Sequence, residues 1–163
     1  MTNMSTRNFE QVKSFIENKI PFFKKVGIHV VSISPGKIKL EVPRDPMNLN
    51  HLGAYQAGVY LTLAEASGAA LLATILDLSD VLLLTKECRL KFGEPAKNSL
   101  IYDGELDFKE VERITQKLEN ERKTNLPMDV ILLNENGRVA AEASLVYYLR
   151  AGSSALINAQ KTE

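Results

Sequence analysis

The chain has 163 residues, a length that suits one domain with one hydrophobic core. Basic and acidic residues both number 20, which argues against a whole-chain field of the kind that draws proteins to nucleic acid or to anionic membranes. The single cysteine, Cys88, excludes an internal disulfide and has no companion ligands for a metal, so it is interpreted as a core thiol rather than a nucleophile. The N-terminal residues are too polar for a secretory signal, and a cytoplasmic location is expected.

The first part of the chain predicts a surface helix followed by a β-hairpin. Apolar residues at helical spacing indicate a short amphipathic helix over residues 8–18. Residues 27–33 and 37–42 are predicted to be the two strands of the hairpin. The second of them alternates apolar with charged residues, which is typical of a strand. Between them, Pro35 and Gly36 suit the two middle positions of a type II turn.

Residues 54–76 are predicted to form the central helix, after a proline- and asparagine-rich loop over residues 43–51. The segment is rich in Ala and Leu and apolar on every side, which is typical of a helix that is covered all round. A glutamate near its middle would be expensive in a bilayer, so a membrane span is not expected.

The second half of the chain predicts further strands and one more helix. Residues 100–108 read as a strand, and residues 109–123 as a surface helix, since a narrow apolar stripe runs along a charged segment. The segment before them, residues 81–92, is predicted to be a strand with one face formed by Leu82, Leu84, Cys88 and Leu90.

The last third of the chain predicts a hairpin. Residues 128–133 and 138–150 flank a turn that Asn136 and Gly137 supply. The buried face of the second strand is expected to comprise Val139, Ala141, Ala143, Leu145, Tyr147 and Leu149.

These elements predict an α+β protein in which one sheet wraps around one helix, because a helix that is apolar all round needs cover on more than one side. Residues 1–163 are interpreted as one domain. Within it, residues 1–20 hold the N-terminal helix, residues 27–150 form the core and residues 151–163 are a tail.

Glu65 is the leading candidate for a catalytic residue, since it lies near the middle of the central helix. Moving a carboxylate from water into apolar surroundings costs on the order of several kcal/mol unless it is paired, hydrogen-bonded or protonated. A carboxyl group in such a setting suits a general base or a nucleophile. The alternative is a structural role at a subunit interface or beside a polar partner.

Gly58 lies seven residues before Glu65, on the same helical face and close to the predicted start of the helix. Free amide groups and the positive dipole end at a helix N-terminus suit a developing oxyanion or a thioester carbonyl. A glycine there would also let a ligand approach closely. The alternative is a structural role, in which the small residues of this helix let it pack closely into a curved sheet.

Residues 50–58 read Asn-His-Leu-Gly-Ala-Tyr-Gln-Ala-Gly and residues 62–65 read Thr-Leu-Ala-Glu. This pattern resembles the hotdog-fold thioesterases of the phenylacetic-acid-degradation type, which carry Asn, then His-Gly-Gly, then Leu-Ala-Asp or Leu-Ala-Glu. The glutamate form is also similar to an uncharacterised branch of that superfamily. The order of the predicted helices and strands is also similar, over residues 22–149. The resemblance implies a hotdog fold with an extra N-terminal helix and a short helix inserted between later strands.

The resemblance implies hydrolysis of an acyl-coenzyme A or an acyl-carrier protein, with no cofactor. Glu65 would activate a water or attack the thioester, and Gly58 would donate its backbone N–H to the thioester oxygen. Asn50 would position the water or the carboxylate, and Thr85 would help to hold the water. Gln56 stands where relatives have a histidine, so its amide could bind the carbonyl but could not take a proton.

The resemblance also implies a homodimer or a dimer of dimers, because family members build each site from the helix N-terminus of one subunit and the carboxylate of the other. Relatives often keep basic residues for the coenzyme near the ends of strands, although ordinary surface charge is the simpler interpretation here. The basic residues in those positions are Arg89, Lys91 and Lys97.

Two other functions remain open. A hotdog hydratase or dehydratase pairs a histidine with an acidic residue, and His51 with Glu65 is the available pair, although their spacing does not resemble that family's motif. A non-catalytic acyl-thioester binding protein is the other alternative. Such sensors usually carry a DNA-binding helical domain, for which the residues before the first strand are too few, so nucleic acid is not an expected partner.

Overall fold

The computed structural model describes residues 9–152, in which six strands form one sheet. The strands are β1 (His29–Ser34), β2 (Lys37–Pro43), β3 (Val81–Phe92), β4 (Ser99–Glu105), β5 (Lys123–Asn134) and β6 (Val139–Ala151). The helices are α1 (Phe9–Ser14), α2 (Pro21–Val26), α3 (Ala57–Ala73) and α4 (Phe108–Glu121), with a π-helical turn at Phe15–Lys19 and a 3-10 turn at Pro46–Asn48. The sheet order is β1-β2-β4-β5-β6-β3 and every neighbouring pair is antiparallel.

Helix α3 contacts strands β2 to β6 and is buried on nearly every side. After its first turn, Leu61 and Glu65 are the residues of α3 that stay accessible to solvent. They continue the exposed first-turn residues Ala57 and Gly58 at spacings of three and four residues, so the four lie along one side of the helix. We call these four residues the accessible stripe. The predicted architecture, one sheet around one central helix, is confirmed.

The face of β3 differs from the prediction because the strand contains a bulge. The register with β6 shifts between Thr85 and Glu87, which leaves Lys86 as an extra residue. A bulge interrupts the alternation of faces along a strand. Leu84 is therefore 51% exposed on the outer face, whereas Cys88 lies on the core side. The prediction of one shared apolar face is wrong for Leu82 and Leu84 and correct for Cys88 and Leu90.

The predicted buried face of β6 is confirmed except at its first residue. The register with β5 shifts between Leu132 and Leu133, where Ala140 is the extra residue on β6. Val139 is consequently 40% exposed. The residues of the predicted face that are buried are Ala141, Ala143, Leu145, Tyr147 and Leu149.

The helical segment before β1 is more complex than the predicted single helix over residues 8–18. Helix α1 ends at Ser14, the π-helical turn follows it, and α2 then begins at Pro21. Gly27, with a φ of 82°, ends α2 in the left-handed conformation that favours glycine. Residues 1–8 and 153–163, which include most of the predicted tail, lie outside the described residues.

Candidate functional site

Glu65 is partly buried on the accessible stripe, facing β3. Its Oε1 atom accepts a hydrogen bond from the Thr85 hydroxyl at 3.1 Å. Its backbone carbonyl oxygen accepts a second one from the Tyr147 hydroxyl at 2.8 Å. Within residues 9–152 it forms no ion pair. A neutral hydroxyl, rather than a cation, therefore offsets part of the hydration that the carboxylate loses.

The Thr85 hydroxyl reaches Glu65 from a position next to the bulge in β3. Thr85 is the last residue before the register shift and is paired directly with Tyr147 across β3 and β6. Bulges are common beside active sites, where they redirect a side chain. The structure thus brings together two predicted site residues, Glu65 and Thr85, and adds Tyr147, which the sequence did not identify as part of the site.

The electrostatic influence of Glu65 extends to two neighbouring side chains. Burial raises the pKa of the Tyr147 phenol, and the Glu65 carboxylate raises it further. Burial likewise raises the pKa of the Cys88 thiol, with a second contribution from Glu65. Since the thiolate is the nucleophilic form of cysteine, these effects disfavour Cys88 as a nucleophile and favour the interpretation as a core thiol.

The N-terminus of α3 is open to solvent. Gln56 is its N-cap, but the Gln56 side chain makes no capping hydrogen bond. Ala57 and Gly58 are exposed, and amide groups in a first helical turn have no acceptor within the helix. A Cβ atom added at Gly58 would lie 3.3 Å from Gln56 Oε1, so the Gln56 side chain lies against this turn. This end of α3 can bind a partly negative oxygen.

Asn50 organises the loop that leads into α3. Its Oδ1 atom accepts hydrogen bonds from the backbone N–H groups of Leu52 at 2.9 Å and Ala54 at 3.3 Å, and its own N–H donates to the Ala54 carbonyl at 2.8 Å. The side-chain oxygen is therefore engaged within the loop. In the described part of the chain, Asn50 forms no hydrogen bond to Glu65.

Arg44, which no sequence pattern marked as part of the site, also holds this loop. Its guanidinium donates hydrogen bonds to the Lys97 carbonyl and, at 3.3 Å, to the Gly53 carbonyl. Lys97 therefore lies beside the loop before α3. The other two basic residues proposed for the coenzyme, Arg89 and Lys91, are exposed on the outer face of β3, away from α3.

Gly58 and Glu65 are far apart along α3. The rise of an α-helix, about 1.5 Å per residue, separates residues seven positions apart by roughly 10 Å. An oxyanion donor and an attacking group must each come within about 3 Å of the reacting carbonyl group. On one copy of α3, the first-turn amides and the backbone of Glu65 are therefore separated by about two helical turns.

Among residues 9–152, no three side chains of the His, Cys, Asp or Glu type are grouped so that they could hold a metal ion. The helices described here are all too short or too polar to cross a membrane.

Solved structures with this fold include several thioesterases. A Pseudomonas aeruginosa protein of unknown function, described as a "probable thioesterase", is 30% identical, with a TM-score of 0.79 over 88% of this chain and 96% of its own. A thioesterase variant from the same organism is 17% identical, with a TM-score of 0.65 over 90% and 96% of the two chains. A hypothetical thioesterase from Streptococcus pneumoniae, solved with coenzyme A, is 16% identical, with a TM-score of 0.57 over 77% and 87%.

The fold and these similarities define the chain as a hotdog-fold protein of the thioesterase superfamily. Within it, the chain belongs to the family named Domain of unknown function (DUF4442), whose model matches residues 9–149. A comparison with curated proteins finds no match. The superfamily predicted from residues 50–65 is confirmed, and the phenylacetic-acid-degradation branch stays a prediction.

Proposed function

We propose that this protein hydrolyses an acyl thioester, carried by coenzyme A or by a carrier protein, to the free acid and the thiol. The observation that carries the proposal is the Glu65 carboxylate, hydrogen-bonded to Thr85 on the accessible side of an otherwise buried helix. Relatives described as thioesterases support a thioester hydrolase in general, and one of them was solved with coenzyme A. A cytoplasmic location stays a prediction.

Glu65 is the group that would do the chemistry. Thr85 donates to Oε1, which leaves the second carboxylate oxygen to take a proton from water. The water oxygen then bonds to the carbonyl carbon, the C–S bond breaks, and the thiolate takes up the proton. In the other route, the carboxylate attacks the carbonyl carbon itself and water hydrolyses the resulting anhydride. Gln56, a neutral amide at the mouth of the site, can bind the carbonyl oxygen but cannot transfer a proton.

We propose that two copies of the chain share each site, in a homodimer or a dimer of dimers. The roughly 10 Å between the Gly58 amide and Glu65 along one helix supports this, because a second copy can bring its α3 N-terminus to the first copy's carboxylate. The position of β3 also supports it. β3 is a twelve-residue edge strand that carries Thr85, and long edge strands favour pairing with another chain.

The hydratase alternative is less well supported. His51 is exposed in the loop and forms no hydrogen bond with Glu65 in the described part of the chain. A histidine and a carboxylate that act on one substrate need a common point within hydrogen-bonding reach. The third alternative, acyl binding without catalysis, is an outcome of the experiment that follows.

The test is thiol release from a panel of acyl-coenzyme A substrates, short, long and aromatic, and from an acylated carrier protein. Glu65→Gln keeps the size of the side chain and removes its basicity, so turnover should fall at least about 100-fold. Glu142→Gln, an exposed position on β6, is the matched control and should retain the wild-type rate. Equal rates in wild type and Glu65→Gln would contradict the mechanism, and tight binding without release would favour an acyl-binding protein.

A further inference from the structure

Tyr147 lies on β6 behind the turn of α3 that carries Glu65. Its side chain is 0% exposed, and its hydroxyl donates to the Glu65 backbone carbonyl oxygen at 2.8 Å. The phenol therefore holds one backbone carbonyl of the turn that carries Glu65.

The approach of the Tyr147 ring to α3 depends on Gly68. A Cβ atom added at Gly68 would lie 2.2 Å from the hydroxyl oxygen and 2.5 Å from a ring carbon, which is far inside van der Waals contact. Glycine within a helix is less stable than alanine, because it loses more backbone freedom on folding. The chain therefore accepts a weaker helical residue next to Glu65, and that residue leaves room for the phenol.

The same cross-strand pair holds both polar parts of Glu65. Thr85 and Tyr147 face each other in the register of β3 and β6. Thr85 bonds the carboxylate, and Tyr147 bonds the carbonyl of the same residue. One cross-strand pair therefore holds Glu65 by two hydrogen bonds, one to its backbone and one to its side chain.

We propose that Tyr147 is a positioning residue for the Glu65 carboxylate and acts through the backbone of α3. It does not touch the substrate, because its side chain is fully buried. Its hydroxyl anchors the turn that carries Glu65, so that Thr85 meets the carboxylate at a fixed place. Displacing a catalytic group by about 1 Å can cost on the order of 100-fold in rate. The effect on rate rests on the hydrolase function proposed above.

The variant that tests this is Tyr147→Phe, with Tyr60→Phe as the matched control. Tyr60 is also a buried tyrosine whose hydroxyl bonds the backbone, since it accepts the Ala96 N–H at 3.0 Å. Tyr147→Phe should lower kcat roughly ten-fold with KM within about two-fold, whereas Tyr60→Phe should keep both. In a Glu65→Gln background, Tyr147→Phe should cause no further loss. An equal loss in both tyrosine variants, or a full additional loss without Glu65, would overturn the proposal.

A measurement without turnover separates this proposal from the hydrolase function. In protein labelled with ¹³C at glutamate carboxyl groups, the Glu65 resonance is identified by its absence in Glu65→Gln. It should move in Tyr147→Phe, because the contact with Thr85 changes, and stay in place in Tyr60→Phe. If the wild type hydrolyses no thioester, the hydrolase function fails while this resonance still decides the role of Tyr147. An unmoved resonance in Tyr147→Phe would overturn that role.

Discussion

The two edge strands of the sheet differ in what lies beside them. β1 has six residues and a register irregularity between Val30 and Ser32, and the Glu17 carboxylate accepts the Val30 N–H at 2.8 Å. β3 has twelve residues and pairs only with β6 within residues 9–152. Short, irregular and covered edges resist further pairing, whereas long uncovered edges invite it.

The helical segment before β1 accounts for the difference. Helix α1 and the π-helical turn both contact β1, and the turn presents Glu17 to the free edge. The edge at β3 has no comparable segment in the described chain. It also carries Thr85, which bonds Glu65. We therefore propose catalysis and assembly at the β3 edge, whereas the N-terminal segment covers the edge at β1.

The sharpest test of a shared site at the β3 edge is complementation between two inactive variants. Gly58→Pro removes one amide donor in the first turn of α3, where proline is tolerated in a helix, and should lower turnover about 100- to 1,000-fold. Glu65→Gln removes the base. A mixed dimer of the two has one intact site, so equimolar mixing after dissociation should restore about a quarter of the wild-type activity.

The controls for complementation are each variant mixed with itself and the mass of the assembly by sedimentation. Activity that stays at the level of the separate variants, in a preparation shown to contain mixed dimers, would contradict a site built from two chains. A wild type that is active as a monomer would contradict it as well.

The closed edge at β1 can be opened with Glu17→Ala. The partly buried Val30 N–H would lose its acceptor, which costs about 1–3 kcal/mol in the free energy of unfolding. Urea unfolding should show this loss, and sedimentation should show larger aggregates. Glu119→Ala, an exposed carboxylate on α4, is the control and should change stability by less than about 0.5 kcal/mol. If the two variants were equally stable, Glu17 would not close the edge.

Much of the fold could be predicted from the sequence because local patterns determine it. The alternation in β2, the turn at Gly36 (φ 71°) and the Ala- and Leu-rich segment of α3 each follow from short-range chemistry. Helix α2 was missed because six residues are too few for a helical period to show. The bulge at Lys86 was missed because it is defined by the register between β3 and β6, which is a property of the packed sheet.

The site residues also divide into those that the sequence predicts and those that only the packed fold reveals. Glu65 could be predicted because a carboxylate in an apolar helix is anomalous in the sequence itself. The role of Tyr147 could not, since its contact spans 82 residues and needs the space left by Gly68. Asn50 shows the opposite case: the resemblance assigned it to the reaction, and within one chain its side-chain oxygen holds a loop.

The smallest expected effect concerns the thiol at the open edge. Cys88 is the chain's only cysteine, so its alkylation by iodoacetamide can be followed without ambiguity. Burial raises the pKa of the thiol and the Glu65 carboxylate raises it further, so the reactive thiolate forms only at higher pH than in an exposed cysteine. Glu65→Gln removes the negative charge and should lower the pKa of the thiol. The pH profile of alkylation should then move to lower pH, and the rate at pH 8 should increase a few-fold.

Glu142→Gln should leave this alkylation profile unchanged, because that side chain lies on the outer face of β6. Dilution of the wild type until it dissociates should increase the rate if a second copy covers β3, since pairing along this edge limits access to Cys88. A rate that does not change on dilution would mean that no second copy covers Cys88 at the β3 edge. A rate that does not change in Glu65→Gln would mean that the Glu65 charge does not act on the thiol.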